Sequence, residues 1–282
     1  MTDWLQPSAL ASAMIEAGCK KTHLNWRTIL ITGILSGMIL GFTTTLFVSA
    51  LVATHNLVIA ALFFPVGFIL LVLLGLELFT GNVALLPYAA YAKKATIRNV
   101  ILALVIVYIG NLIGSVIYAA IFSAINTHFF TTGPNALGAK LIDIANEKTL
   151  AYAQLGAAGW GTALLKGVLC NWMVSLGSVM AIVSRATIAK IVAMYLPIMA
   201  FVAQGFEHCV VNMFVMPCAM MMGAHISIAQ WWIWNEIPVT LGNIIGAGLI
   251  TAAGLYFSFG RMAKPDSPTD LPVDLSANQA AE

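Results

Sequence analysis

Charge is the scarcest commodity in this chain. Only 9% of its 282 residues are Asp, Glu, Lys or Arg, while 60% are hydrophobic and the mean hydropathy is +0.92. A soluble domain carries roughly 25% charged residues, so a water-soluble fold is excluded and an integral membrane protein is indicated. Cysteine is sparse as well. Cys19, Cys170, Cys209 and Cys218 show no CxxC spacing, and three of them lie in apolar stretches. That argues against disulfide or metal roles and reads them as small hydrophobic residues. The net charge of +2 points to no class of partner. No metal, cofactor or nucleic acid is expected.

What is abundant is membrane-length apolar sequence. Stretches of about 20 residues suffice to cross a bilayer, and they occur near 28–53, 57–76, 99–125, 160–183, 189–204 and 237–259. The second and fifth resume after short polar breaks, as 83–92 and 213–222. The expected fold is therefore all-α, with six membrane spans, two of them discontinuous. Residues 1–26 lack a long apolar run, so no signal peptide is read there. Within that segment, Leu10 to Ala17 mixes apolar and small residues in the manner of an interfacial helix. The channel domain then covers 27–260, and 261–282, rich in Pro, Asp, Ser and Ala, reads as a disordered tail.

Basic residues set the orientation. Lys20, Lys21, Arg27, Lys93, Lys94, Arg98, Arg185, Lys190, Arg261 and Lys264 fall on one side, and only Lys140 and Lys148, in the 127–158 connection, on the other. Both termini are expected in the cytoplasm of a multi-pass cell-membrane protein.

The halves, about 27–126 and 159–260, echo each other. Gly110-Asn111-Leu112-Ile113-Gly114 matches Gly242-Asn243-Ile244-Ile245-Gly246, Glu77 matches Glu207, and Gly33-Ile34-Leu35 resembles Gly167-Val168-Leu169, all at nearly one offset. Three spans per half is an odd number, so a duplicated second half inserts upside down. The expectation is an inverted 3+3 repeat, with the broken spans forming a transport site near the bilayer midplane. Backbone left unpaired at that depth is tolerated only inside protein or along a wet cavity.

The breaks are Glu77-Leu78-Phe79-Thr80-Gly81-Asn82 and Gly205-Phe206-Glu207-His208-Cys209, with Asn212 just beyond. The ionisable groups placed at membrane depth are Glu77, Lys166, Glu207 and His208, and such residues mark a pathway or its support. His208 leads, because imidazole titrates near neutral pH and both donates and accepts hydrogen bonds; the competing reading is a neutral ring that ties down loose backbone. Glu77 and Glu207 are read as structural, satisfying free N–H groups where each helix restarts. Adjacent residues on a regular helix diverge, so Glu207 and His208 need not share a cavity. Thr80 is either a partner for His208 or the passing solute, or a helix cap. Lys166 either snorkels to the interface or raises the anion concentration of a vestibule. Phe64, Phe68, Leu78 and Phe201 supply apolar constrictions or ordinary packing. The Trp231-Trp232-Trp234 cluster reads as an interfacial anchor, and Met216 and Met220 to Met222 as helix packing.

Two rival classes remain open at this level. A membrane enzyme built on Glu207, His208 and Cys209 lacks a workable nucleophile–base spacing and any visible third group. A neutral-solute channel fits six spans with two half-helices, but the breaks here hold Glu-Leu-Phe-Thr-Gly and Phe-Glu-His.

At these residues the chain resembles the formate/nitrite transporter family. The matching segments are Gly75-x-Glu-Leu-Phe-Thr-Gly81, Lys166-Gly-x-Leu-Cys-Asn-Trp172, Gly205-Phe-Glu-His-Cys-x-x-Asn-Met213 and Ile237-Pro-Val-Thr-Leu-Gly-Asn-Ile-Ile-Gly246, in order across about residues 10–260. The resemblance implies an aquaporin-like protomer, a homopentamer in lipid, and one anion pore per protomer. It also implies that His208 is the central pore histidine with Thr80 as its partner. By the same token Leu78 and Phe68 form the cytoplasmic constriction, Phe64 and Phe201 the periplasmic one, and Asn171 and Asn212 are polar positions near the pore. The first two segments look more like the nitrite branch, and the last two are shared with the formate branch. The expected substrates are protons and a small monovalent anion, nitrite or formate first, with hydrosulfide, lactate and other short monocarboxylates as alternatives.

Overall fold

In a computed structural model, residues 4–262 are described, and the regular structure among them is helical apart from one isolated bridge between Trp4 and Ser184. The helices are α1 (Pro7–Thr22), α2 (Trp26–Thr54), α3 (Leu57–Ala61), α4 (Pro65–Leu73), α5 (Phe79–Tyr91) and α6 (Ile97–Asn126). They continue with α7 (Ala136–Gln154), α8 (Ala157–Val183), α9 (Thr187–Ala203), α10 (Cys209–Met221) and a last span, α11 (Ile228–Phe259), which contains two π-helical stretches. Among the described residues four helices, α2, α6, α8 and α11, are long and apolar enough to cross a membrane unbroken. The other two expected spans are the interrupted ones, α3–α4–α5 and α9–α10. The disordered-tail expectation over 261–282 lies outside the described residues, except for the short turn Gly260–Met262.

Small residues set the helix pairing. A Cβ on Gly33 of α2 would sit 3.3 Å from Gly110 Cα of α6, and one on Gly167 of α8 would sit 3.2 Å from Gly242 Cα of α11. Four residues on, Gly114 and Gly246 lie against the backbone carbonyls of Ile34 and Val168. With no hydrophobic drive between helices inside lipid, such close backbone approach is what dispersion and packing can exploit. The two Gly-Asn-x-x-Gly segments thus occupy equivalent places in two equivalent helix pairs.

Each broken span stops the same way. Gly75 and Gly205 adopt the left-handed region, at φ +67° and +65°, where glycine alone is unstrained. Leu76 N–H then donates back to Leu71 O (2.9 Å) and Phe206 N–H to Phe201 O (3.2 Å), closing each helix end. The chain continues extended, through Leu78 (φ −119°, ψ 127°) and His208 (φ −119°, ψ 115°), before α5 and α10 begin.

Three stretches show more than the sequence indicates. The N-terminal helix, read as interfacial, also packs against the bundle. It spans Pro7–Thr22 and docks on α5, with Ala11, Met14 and Gly18 buried and Gly18 packed on Leu85 and Ala89. The stretch 127–158, read as a connection, contains the 19-residue helix α7, which buries Leu141, Ala145, Thr149 and Tyr152 on one side. The tryptophans are not simply an anchor. Trp231 is buried and its indole N–H donates to Glu236 Oε2 (3.2 Å), because α11 starts nine residues before the apolar run suggests. Met216 does pack internally, accepting a hydrogen bond from Thr149 (3.2 Å).

Candidate functional site

The two extended breaks create the site. Where α5 and α10 restart, their first N–H groups have no helical partner, and asparagines from the flanking spans supply it. Asn111 Oδ1 accepts from Phe79 N–H (2.9 Å) while its Nδ2 donates to Glu77 O (3.1 Å) and Gly33 O (2.8 Å). Asn243 repeats this on the second break, accepting from Cys209 N–H (3.0 Å) and donating to Glu207 O (3.0 Å) and Gly167 O (2.8 Å). The glutamates therefore do not cap the restarting helices, as the sequence reading expected; the asparagines reach those amides first. Leucine at either asparagine would strand two buried backbone groups of the break, Phe79 N–H and Glu77 O or Cys209 N–H and Glu207 O, while Gly33 O and Gly167 O keep their partners inside α2 and α8. Asn111→Leu and Asn243→Leu are each expected to cost on the order of 3 kcal/mol or more. Thermal unfolding in detergent measures this, and an unchanged midpoint in either variant would contradict the clamp.

Each glutamate instead receives a lysine from the helix that lies across its break. Glu77 Oε1 accepts from Lys21 of α1 (2.7 Å) and Oε2 from Asn82 Nδ2 (2.6 Å). Glu207 Oε2 accepts from Lys148 of α7 (2.6 Å) and from Asn212 Nδ2 (2.9 Å), and its Oε1 from Tyr152 OH (2.8 Å). A buried carboxylate so surrounded is compensated in charge and in hydrogen bonds.

His208 sits at the N-cap of α10 and is 3% exposed. Its Nδ1 accepts from Val211 N–H (3.2 Å), and its Nε2 lies 3.0 Å from Thr80 Oγ1. An Nδ1 that accepts places the ring proton on Nε2, so the imidazole donates to the threonine hydroxyl. Thr80 is the second residue of α5, not its cap, and its backbone oxygen accepts from Asn171 Nδ2 (3.1 Å). Asn171 also donates to Asn243 O (2.8 Å), and the Oδ1 atoms of both Asn171 and Asn212 are buried without a partner among the described residues. The chain thus joins His208, Thr80 and Asn171 from three separate helices.

Two cavities approach this junction, and no residue lines both. On the α1 side, about 500 Å³ is bounded by Phe68, Leu78, Lys21, Lys190, Asn82 and Ser178 among others. On the α7 side, about 410 Å³ is bounded by Phe64, Phe201, His208, Glu207 and Lys166, with Lys140, Glu147 and Lys148. Phe64 and Phe201 meet edge to face with centroids 5.8 Å apart, and Phe201 stacks on His208 at 5.9 Å. Phe64 and Phe201 therefore belong to one cavity and Phe68 and Leu78 to the other. Glu207 and His208 do share a cavity, because the extended backbone at the break removes the helical divergence. Lys166 lines the same cavity, its Nζ 5.8 Å from the centre of the Tyr152 ring.

Sequence reasoning missed several of these partners. Lys148 and Tyr152 are four residues apart and share a helical face, a signal that was present in α7. Lys21 was read only as a topology marker. Glu236, one residue before the expected span 237–259, is fully buried and accepts from Tyr108 OH (2.8 Å), Trp231 and Thr240.

An all-helical membrane protein in which two interrupted spans meet between opposed cavities belongs to the class of small-solute channels and transporters. A family model described as formate/nitrite transporter matches residues 8–257. A probable formate transporter of Methanothermobacter thermautotrophicus is 40% identical over 203 residues, covering 70% of this chain and 73% of that protein. A formate channel of Bacillus thuringiensis is 33% identical over 266 residues, covering 90% and 95%. Among solved structures, a pentameric formate channel with formate bound superposes with a TM-score of 0.67 at 28% identity, covering 83% of this chain and 96% of that one. The chain belongs to the formate/nitrite transporter family.

Proposed function

We propose that this chain conducts small monovalent weak-acid anions, formate or nitrite foremost, and passes them through its apolar constrictions in the protonated, neutral form. The physical obstacle is desolvation, since moving a bare ion through a ring of Phe64 and Phe201 costs several kcal/mol or more. One proton removes that cost. Lys166, together with the amino-terminal ends of α5 and α10, draws the anion into the α7-side vestibule. There the solute takes a proton from water, directly or relayed by His208, and crosses to the α1-side cavity past Leu78 and Phe68. Thr80, Asn171 and Asn212 offer hydrogen bonds along the way, while Glu77 and Glu207 hold the breaks. No catalytic residue, cofactor or metal is needed.

The carrying observation is the Thr80–His208 contact at the junction of the two breaks, with a cavity on either side. The formate-named relatives favour formate among the substrates. The likeness to a solved pentameric channel supports a homopentamer, and the lysine and arginine distribution supports cytoplasmic termini. Hydrosulfide and lactate are the alternatives within the same chemistry, as each is the base of a weak acid.

The test is uptake of labelled formate, nitrite, lactate and hydrosulfide into proteoliposomes, in wild type and Lys166→Ala. Formate or nitrite is expected to enter fastest. The variant is expected to raise the half-saturating concentration several-fold with little change in maximal rate, since only entry is affected. An unchanged concentration dependence would remove Lys166 from the entry step.

A further inference from the structure

The α7-side cavity is far larger than the small anions assigned to it. About 410 Å³ falls in the range of sites that enclose drug-sized ligands. Its walls divide by chemistry. Phe47, Phe64, Phe201, Phe206 and Leu57 give a hydrocarbon surface, and three cations, Lys140, Lys148 and Lys166, outnumber the two carboxylates, Glu147 and Glu207. Of these lysines, only Lys148 is neutralised by a carboxylate within salt-bridge distance among the described residues. Lys166 is held instead by the face of Tyr152, whose hydroxyl is fixed by Glu207. A cation held that way keeps its N–H donors available on its open side.

We infer that this cavity is a binding site for a larger amphipathic monocarboxylate, such as an arylalkanoate. Its carboxylate pairs with Lys166, and its hydrocarbon body lies on the Phe47–Phe64–Phe206 wall. Phe64 and Phe201, in edge-to-face contact, are the constriction of the proposed route, so such a molecule lodges before it and blocks passage. Burying the apolar body supplies affinity that formate lacks. The lysine discriminates the acid from an uncharged analogue of the same shape. This deepens the transport reading by using the same vestibule, but binding itself requires no transport.

Isothermal titration of the purified full-length protein in detergent, with phenylbutyrate, phenylbutanol and formate, tests it directly. Phenylbutyrate is expected to bind at least about tenfold more tightly than phenylbutanol, the share of one charge-assisted hydrogen bond, and more tightly than formate. Lys166→Met keeps the stem over Tyr152 and is expected to abolish the difference between acid and alcohol, while Lys166→Arg restores it. In proteoliposomes phenylbutyrate is expected to inhibit formate uptake competitively. Equal binding of acid and alcohol, or undiminished phenylbutyrate binding to Lys166→Met, overturns the inference. Phenylbutyrate binding without any anion uptake would instead refute the transport reading and leave the site standing.

Discussion

Replacing His208 with phenylalanine is expected to flatten the pH dependence of formate uptake and to slow it at least about tenfold, the low end of what a positioned proton-transfer group contributes. The argument begins with position. His208 bridges the two breaks, in contact with Thr80 of the opposite one at 3.0 Å, and it lines a cavity beside the Phe64–Phe201 pair. Phenylalanine preserves the ring and its stacking on Phe201, so the constriction keeps its shape. What it removes is the Nε2 donor and any proton relay. It also removes the Nδ1 acceptor that caps Val211 N–H, at about 1 kcal/mol of stability, which the family of measurements must separate from flux by confirming equal reconstitution. Uptake with the wild-type rate and pH profile would take His208 out of the mechanism.

The second large effect is at the ion pair across the second break. Lys148→Met leaves the Glu207 carboxylate, 1% exposed, with only Tyr152 and Asn212. Removing one partner of a buried pair costs about 3–5 kcal/mol because the remaining charge is uncompensated. Lys148 retains 21% side-chain exposure, so the lower end, about 3 kcal/mol, is expected. Lys21→Met should be milder where Glu77 is less enclosed. The freed carboxylate also lines the cavity that anions enter, so uptake at low substrate is expected to fall with stability. Adding Glu207→Gln to Lys148→Met removes the stranded charge and is expected to recover most of the loss in thermal unfolding. A double variant no more stable than Lys148→Met alone would mean that the ion pair is not what holds α7 to the break.

The architecture was legible where the sequence carried a signal that depends on the membrane alone. The breaks stand out because Gly75 and Gly205 end helices inside apolar runs, and because glutamate and histidine are conspicuous at that depth. The offset between the two Gly-Asn-x-x-Gly segments showed the equivalence of α6 and α11, though not that each asparagine clamps a break. The hidden parts are those that depend on neighbours. Helix α7 is amphipathic and carries lysines, so it reads like an exposed connection until Glu207 is seen to neutralise Lys148. The N-terminal helix reads as interfacial because the apolar and small residues of Leu10 to Ala17 suit lipid, whereas the packing of Gly18 on Leu85 and Ala89 depends on a neighbour. Trp231 reads as an interfacial anchor because indole normally sits there, and Glu236, just before the expected last span, is tolerable inside because Tyr108, Trp231 and Thr240 all donate to its carboxylate.

The central claim is that the anion crosses as its neutral acid. Its most direct test records lumenal pH and membrane current together while labelled formate enters proteoliposomes containing the wild-type protein. One proton is expected to accompany each formate, seen as lumenal acidification matched to uptake with no net current. Formate entry that carries current and leaves the lumenal pH unchanged would contradict it.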